Sequence, residues 1–116
     1  MKNWDDLNYH NRPFSAHGSY AESKLLDAML TFETAERLIR MGIATSTLTC
    51  NCLDPGTVNT KMLLAGWGPI GIDVNDALDE TWLCTSPEVR QKTGSYFVSR
   101  MERKASSSAY DPNERA

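Results

Sequence analysis

Two side chains in this sequence have the types and spacing for proton chemistry: Tyr20 and Lys24, within Ser19-Tyr20-Ala21-Glu22-Ser23-Lys24-Leu25-Leu26. A helix beginning near Ser19 sets them four residues apart, one above the other on a single face. A phenol titrates near pH ~10, too high for a good base at neutrality, but an ammonium one turn away favours the phenolate. Such a pair suits proton transfer to or from a hydroxyl or carbonyl oxygen. The spacing alone is a weak signal in any chain of this length, so its weight depends on the elements that position it.

Those elements follow from pattern. Residues 1–18 are polar and interrupted by Pro13 and Gly18, and read as an irregular lead-in that Trp4 and Phe14 pin to the body. His10 and His17 lie in it without a second histidine or a cysteine at ligand spacing, and read as exposed loop residues. Ser19 to Met41 is helical, with Ser19 as N-cap, Glu22 completing a capping box and Gly42 just past the end. Leu25, Leu26, Met29, Leu30, Phe32, Leu38 and Ile39 cover more than one narrow stripe, so this helix expects partners on two sides. Asp27, Glu33, Glu36, Arg37 and Arg40 read as its solvated edge, open to i,i+4 pairing.

Thr45 to Leu53 reads as a strand that stops at Asp54-Pro55-Gly56. The glycine-punctuated apolar piece after Thr60 reads as a short helix or flap. Asp73 to Ser86 reads as a second helix closed by Pro87, and Gly94 to Ser99 as a second strand. From Met101 the apolar content is too low to fold alone, which predicts a flexible tail over 101–116.

Composition bounds the rest. At 116 residues the chain is at most one domain, and 41% apolar with 23% charged residues is ordinary for a soluble globular protein. A formal charge of −3 without a basic cluster argues against nucleic acid. The beginning of the chain lacks the apolar run of a signal peptide, and no apolar segment approaches the ~20 residues of a membrane span. Cys50-x-Cys52 is too close for a common zinc site; the three cysteines read as strand-buried thiols of the cytosol.

In that order of elements the sequence resembles the short-chain dehydrogenase/reductase (SDR) family, retinol-dehydrogenase-like members in particular. The matching stretches are Trp4-Asp5-Asp6-Leu7-Asn8, Tyr20-Ala21-Glu22-Ser23-Lys24-Leu25, Asp54-Pro55-Gly56-Thr57-Val58-Asn59-Thr60 and Thr93-Gly94-Ser95-Tyr96-Phe97-Val98. The resemblance implies an α/β fold: the C-terminal portion of a doubly wound, Rossmann-like sheet, running helix, strand, flap, helix, strand, with two parallel strands within residues 1–100. It implies NAD or NADP as cofactor, Tyr20 as general acid/base, and Lys24 on the nicotinamide ribose. Backbone contacts to the carboxamide fall on Pro55, Gly56, Val58 and Thr60, beyond the carboxyl end of a strand where open α/β sheets bind ligands. Met62, Leu63, Leu64 and Trp67 would line a substrate flap for a lipophilic alcohol or carbonyl, or else pack over neighbouring loops.

Two departures limit the enzymatic expectation. The family's glycine-rich first turn is absent, and its carbonyl-polarising serine would fall before Met1. The expectation is therefore an incomplete and inactive oxidoreductase portion, with a silent relative acting by association as the alternative. A homo-oligomer through helix 19–41 is one such association, and a longer reading frame upstream of Met1 a further explanation. A two-stranded remnant of a sheet would be marginal in water and would leave an open edge.

Overall fold

Ser15, not Ser19, starts the long helix. In the computed structural model, which describes residues 4–115, Ser15 is extended (φ −130°, ψ 116°) and its Oγ accepts from the Gly18 N–H at 3.1 Å. Helix α1 therefore spans Ala16–Arg40, with His17 in its first turn. The expected capping box does not form, because Glu22 is drawn to the lead-in segment by Arg12 and Tyr9. At the far end Gly42 takes φ +77° and donates to Ile39 O, while Ile43 N donates to Leu38 O, a glycine stop of the predicted kind.

The strand expected over Thr45–Leu53 is shorter than its pattern. Thr47 and Leu48 both donate to Ala44 O, so a turn consumes its first half and β1 is Cys52–Asp54. After β1 come α2 (Lys61–Gly66), a 3-10 turn at Val74–Asp76, and α3 (Asp79–Thr85). The helix read over Asp73–Ser86 is thus two pieces. Ala77 breaks it with ψ 78°, and no side chain caps α3 at Leu78.

β2 (Tyr96–Val98) lies parallel to β1, pairing Cys52 with Tyr96 and Leu53 with Phe97. A third strand, β3 (Met101–Arg103), pairs antiparallel with β2 through the two-residue turn Ser99-Arg100, whose φ values are +49° and +61°. Positive φ at both positions marks the hairpin turn whose twist matches its strands. The sheet is therefore three-stranded and mixed, in the order β1-β2-β3, rather than two parallel strands.

The expected flexible tail is packed against the body. Residues 107–110 form a 3-10 turn and Pro112–Arg115 form α4, both against α1. Ala109 is completely buried beside Met29 and Phe32, and Tyr110 stacks on Phe32 with ring centroids 4.6 Å apart. Arg115 keeps only 2% of its side chain exposed and reaches Glu36 at 2.8 Å. The segment lacks apolar content for a core of its own; α1 supplies the surface on which it folds. Trp4 joins the same cluster and donates from Nε1 to Glu114 at 2.7 Å, whereas Phe14 stays 71% exposed against Tyr9.

One sheet face, with Cys52 and Tyr96, meets this cluster. On β2 the neighbouring Phe97 is buried and meets Trp82 of α3 edge to face at 5.6 Å. Cys52 lies half-buried on β1, but Cys50 is half-buried just ahead of the strand and Cys84 is exposed on α3, so the expectation of strand-buried thiols fits Cys52 alone; burial pushes the Cys50 and Cys52 thiols up.

The result is a slab. Its extents are 43 × 38 × 18 Å and its radius of gyration is 16.2 Å, where a compact domain of this length has about 13 Å. Its accessible surface is 8326 Å², roughly 2,000 Å² more than a compact monomer of this size exposes. Among the described residues sixteen large apolar side chains are exposed and six apolar residues are buried. At ~25 cal/mol per Å², even a few hundred Å² of wet apolar surface forfeits several kcal/mol, comparable with a small domain's stability.

Candidate functional site

α1 presents Tyr20 and Lys24 on one exposed face, as their spacing dictates, and Tyr20 is 50% exposed. Lys24 Nζ lies 5.8 Å from the Tyr20 ring centroid. Its closer partner is Asp27, whose Oδ2 is 3.0 Å away. That hydrogen bond, reinforced by the carboxylate's charge, raises the Lys24 pKa above the ordinary lysine value. The ammonium is present, but it is engaged.

The loop after β1 is held by bonds from its own backbone and side chains. Asp54 Oδ1 accepts from Gly56 N at 2.8 Å, and Gly56 takes φ +69°. Thr57 and Asn59 exchange hydrogen bonds with Ile72, and Gly71 N donates to the Asn59 side chain at 2.8 Å. Thr60 N bonds Val58 O, and Thr60 Oγ1 caps α2 by accepting from Leu63 N. Pro55, Gly56 and Thr60 are exposed, while Val58 is half-buried in an isolated bridge with Ile72. In the flap Met62, Leu64 and Trp67 are exposed at 64%, 47% and 67%, and Leu63 is half-buried.

Among the described residues, two of the surface grooves are well formed, and these two are not lined by Tyr20, Lys24 or the loop and flap residues. One runs along Gly94–Tyr96, Glu102–Ala105, Ser107 and Tyr110. The other runs along α1 between Trp4, Leu26, Leu30 and Arg115. As arranged here the Gly56, Asn59 and Thr60 amides are engaged within the chain and Lys24 is paired, so these residues do not by themselves make a cradle for a nicotinamide nucleotide.

Sequence patterns missed two contributors. Asp27, the partner of Lys24, is signalled only by its i,i+3 spacing. The second is a cluster around buried Asp6, which accepts from His10 N at 2.7 Å and Asn11 N at 2.9 Å. Arg12 links it onward to Glu22 of α1. These backbone bonds, Asn11's foremost, hold the Asp6 carboxyl below the usual range, and Arg12 does the same for Glu22.

Over 89% of its length the chain is 29% identical to human polyprenol dehydrogenase, of which it spans 34%. Over 82% it is 30% identical to human retinol dehydrogenase 14, of which it spans 31%. These relatives are dehydrogenases. The chain spans about a third of the length of the curated relatives it matches. No family model matches it, and no solved structure does. Among the described residues no helix is long and apolar enough to cross a membrane.

Proposed function

We propose that the chain carries the tyrosine–lysine part of an SDR-type oxidoreductase acting on a lipophilic alcohol or carbonyl, competent only when further polypeptide covers its open surface. The observation that carries this reading is the placement of Tyr20 and Lys24 on one exposed face of α1, with the ammonium 5.8 Å from the phenol ring. Its support from comparison is that both relatives are dehydrogenases, one named for retinol and one for polyprenol. Tyr20 exchanges a proton with the substrate oxygen, and Lys24 places a positive charge beside it. NAD or NADP is the cofactor such chemistry uses, with Pro55, Gly56, Val58 and Thr60 nearest to it in the completed site. The exposed Met62, Leu64 and Trp67, with Leu63, supply an apolar wall for substrate.

Titrating NADH and NADPH into the purified chain tests the dependence on further polypeptide: binding stays weaker than millimolar, and micromolar affinity overturns it. Replacing the aligned third of human retinol dehydrogenase 14 with this chain tests the chemistry. A folded chimaera that oxidises retinol and loses that activity on Tyr20→Phe supports the reading, and a folded inactive chimaera sinks it.

The excess surface favours a second reading, a catalytically silent chain that works by association, including self-association through α1. Under that reading Tyr20→Phe changes nothing that can be measured, whereas loss of the partner unfolds the chain.

A further inference from the structure

β2, β3 and the turn that follows them enclose a groove of about 850 Å³, a volume typical of small-molecule sites. Among the described residues its walls come from one stretch, Gly94 to Tyr110, and none from β1, so it stands apart from the open side of the sheet.

The pairing register sorts the charges around it. Arg103 lies opposite Tyr96 and Glu102 opposite Phe97, and residues directly opposite each other share a face. The Glu102 carboxylate is therefore turned to the Phe97 face, where it accepts from Lys92 Nζ at 2.7 Å and from Ser95 Oγ at 3.0 Å. Arg103 is left on the Tyr96 face without a carboxylate. Among the described residues its guanidinium reaches only Glu102 O at 3.4 Å and Met101 Sδ at 3.9 Å. Lys104, next along the groove, has no ion-pair partner among the described residues. The Tyr110 phenol oxygen accepts from Ala105 N at 2.9 Å, which leaves its O–H to donate, and Ser107 brings a second hydroxyl.

We propose that this groove binds a phosphomonoester, with the phosphate on Arg103 and Lys104 and the organic part against Tyr96 and Tyr110. A guanidinium fork, an ammonium and two hydroxyls supply more donors than a carboxylate accepts, and they suit a phosphate's three terminal oxygens. The one carboxylate near the groove is already satisfied by Lys92 and Ser95, so it does not oppose the anion. Tyr110 stacks on Phe32 by one face and stays 39% exposed, which leaves ring surface for the ligand. The site uses neither Tyr20 nor the loop after β1.

Phenyl phosphate titrated into the full chain, followed by amide NMR, reads both affinity and place. At pH ~8 the ester is a dianion, and ~0.15 M salt screens diffuse attraction. Saturable binding at about 1 mM or tighter is expected, with shifts at Gly94 to Tyr96 and Ala105 to Tyr110. Inorganic phosphate and benzoate should bind more weakly. Changing Arg103→Ala and Lys104→Ala together should weaken phenyl phosphate at least ~tenfold. Lys61→Ala, which removes a cation from α2 outside the groove, should leave it unchanged. All three side chains are exposed, so these variants should keep the fold. If the double variant unfolds, the wild-type shift map and the benzoate comparison still decide. Absence of saturation, shifts confined to other surfaces, or an equal loss in Lys61→Ala overturns the proposal. So does benzoate or inorganic phosphate binding as tightly as phenyl phosphate.

Discussion

Arg12 grips Glu22 with a two-pronged fork, Nη1 to Oε1 and Nη2 to Oε2 both at 2.7 Å, while its guanidinium carbon lies 3.8 Å from the centre of the Tyr9 ring. Bidentate pairing of this geometry is among the stronger polar contacts a surface offers. It ties the lead-in segment to the second turn of α1, between Tyr20 and Lys24 in sequence.

The first prediction concerns acid. Glu22 is held below its ordinary pKa first by Arg12, and Asp6 first by the Asn11 N–H. A carboxyl depressed in the folded state contributes stability above its unfolded pKa, and that contribution disappears as pH falls through the folded value. Thermal midpoints should therefore drop as pH is lowered through and below the ordinary carboxylate range. Glu22→Gln should lower the midpoint at neutral pH and flatten this acid limb. An unchanged acid limb in Glu22→Gln would show that the fork contributes nothing to folding.

A second prediction concerns the C-terminal segment. Ala109 is completely buried in one cluster with Met29 and Phe32, so added methylenes must displace these neighbours. Ala109→Leu should destabilise by about 1–3 kcal/mol. Tyr110→Ala, which removes the ring stacked on Phe32, should cost a similar ~1–3 kcal/mol because that ring is partly exposed. Denaturant titration checks both, and neutral outcomes would mean the segment merely rests on α1.

This segment also marks where the sequence stopped being legible. α1 was readable because Leu25, Met29 and Phe32 repeat with helical period, and the order of the elements from α1 to β2 followed from periodicity and turn residues. β3 was not, because its turn is Ser99-Arg100 rather than the Asn-Gly or Asp-Gly that announces a tight hairpin. Ala109 carries no periodic signal; its burial is a property of the α1 surface it meets. At the candidate site the Tyr20–Lys24 spacing was readable, but the closer claim of Asp27 on the ammonium is a matter of rotamer and distance.

A third prediction tests the coupling between the loop after β1 and the flap. A Cβ added at Gly71 would sit 2.5 Å from the Thr57 carbonyl oxygen and 2.9 Å from Val58 N. Both are backbone atoms and cannot swing aside. Gly71→Ala should break the Thr57–Ile72 and Asn59–Ile72 hydrogen bonds and destabilise by about 1–3 kcal/mol. Faster hydrogen exchange at Asn59 and Ile72 is the specific sign, and unchanged exchange there would contradict the coupling.

The last prediction separates the two partners of Lys24. Its ammonium sits 3.0 Å from Asp27 Oδ2, and the pair is more than half exposed, so breaking it should cost only a few tenths of a kcal/mol. The pair nevertheless sets the charge next to Tyr20. Asp27→Asn removes the hydrogen-bonding carboxylate that raises the Lys24 pKa, so that pKa should fall toward the ordinary lysine value in an NMR titration. The same change frees the ammonium to turn toward the phenol and removes a negative charge from its surroundings. Tyr20 raises the same Lys24 pKa more weakly than Asp27 does, so Tyr20→Phe should lower it by less than Asp27→Asn. If Lys24 titrates identically in the wild type and in Asp27→Asn, the carboxylate does not engage the ammonium, and the charge placed beside Tyr20 is not set by this pair.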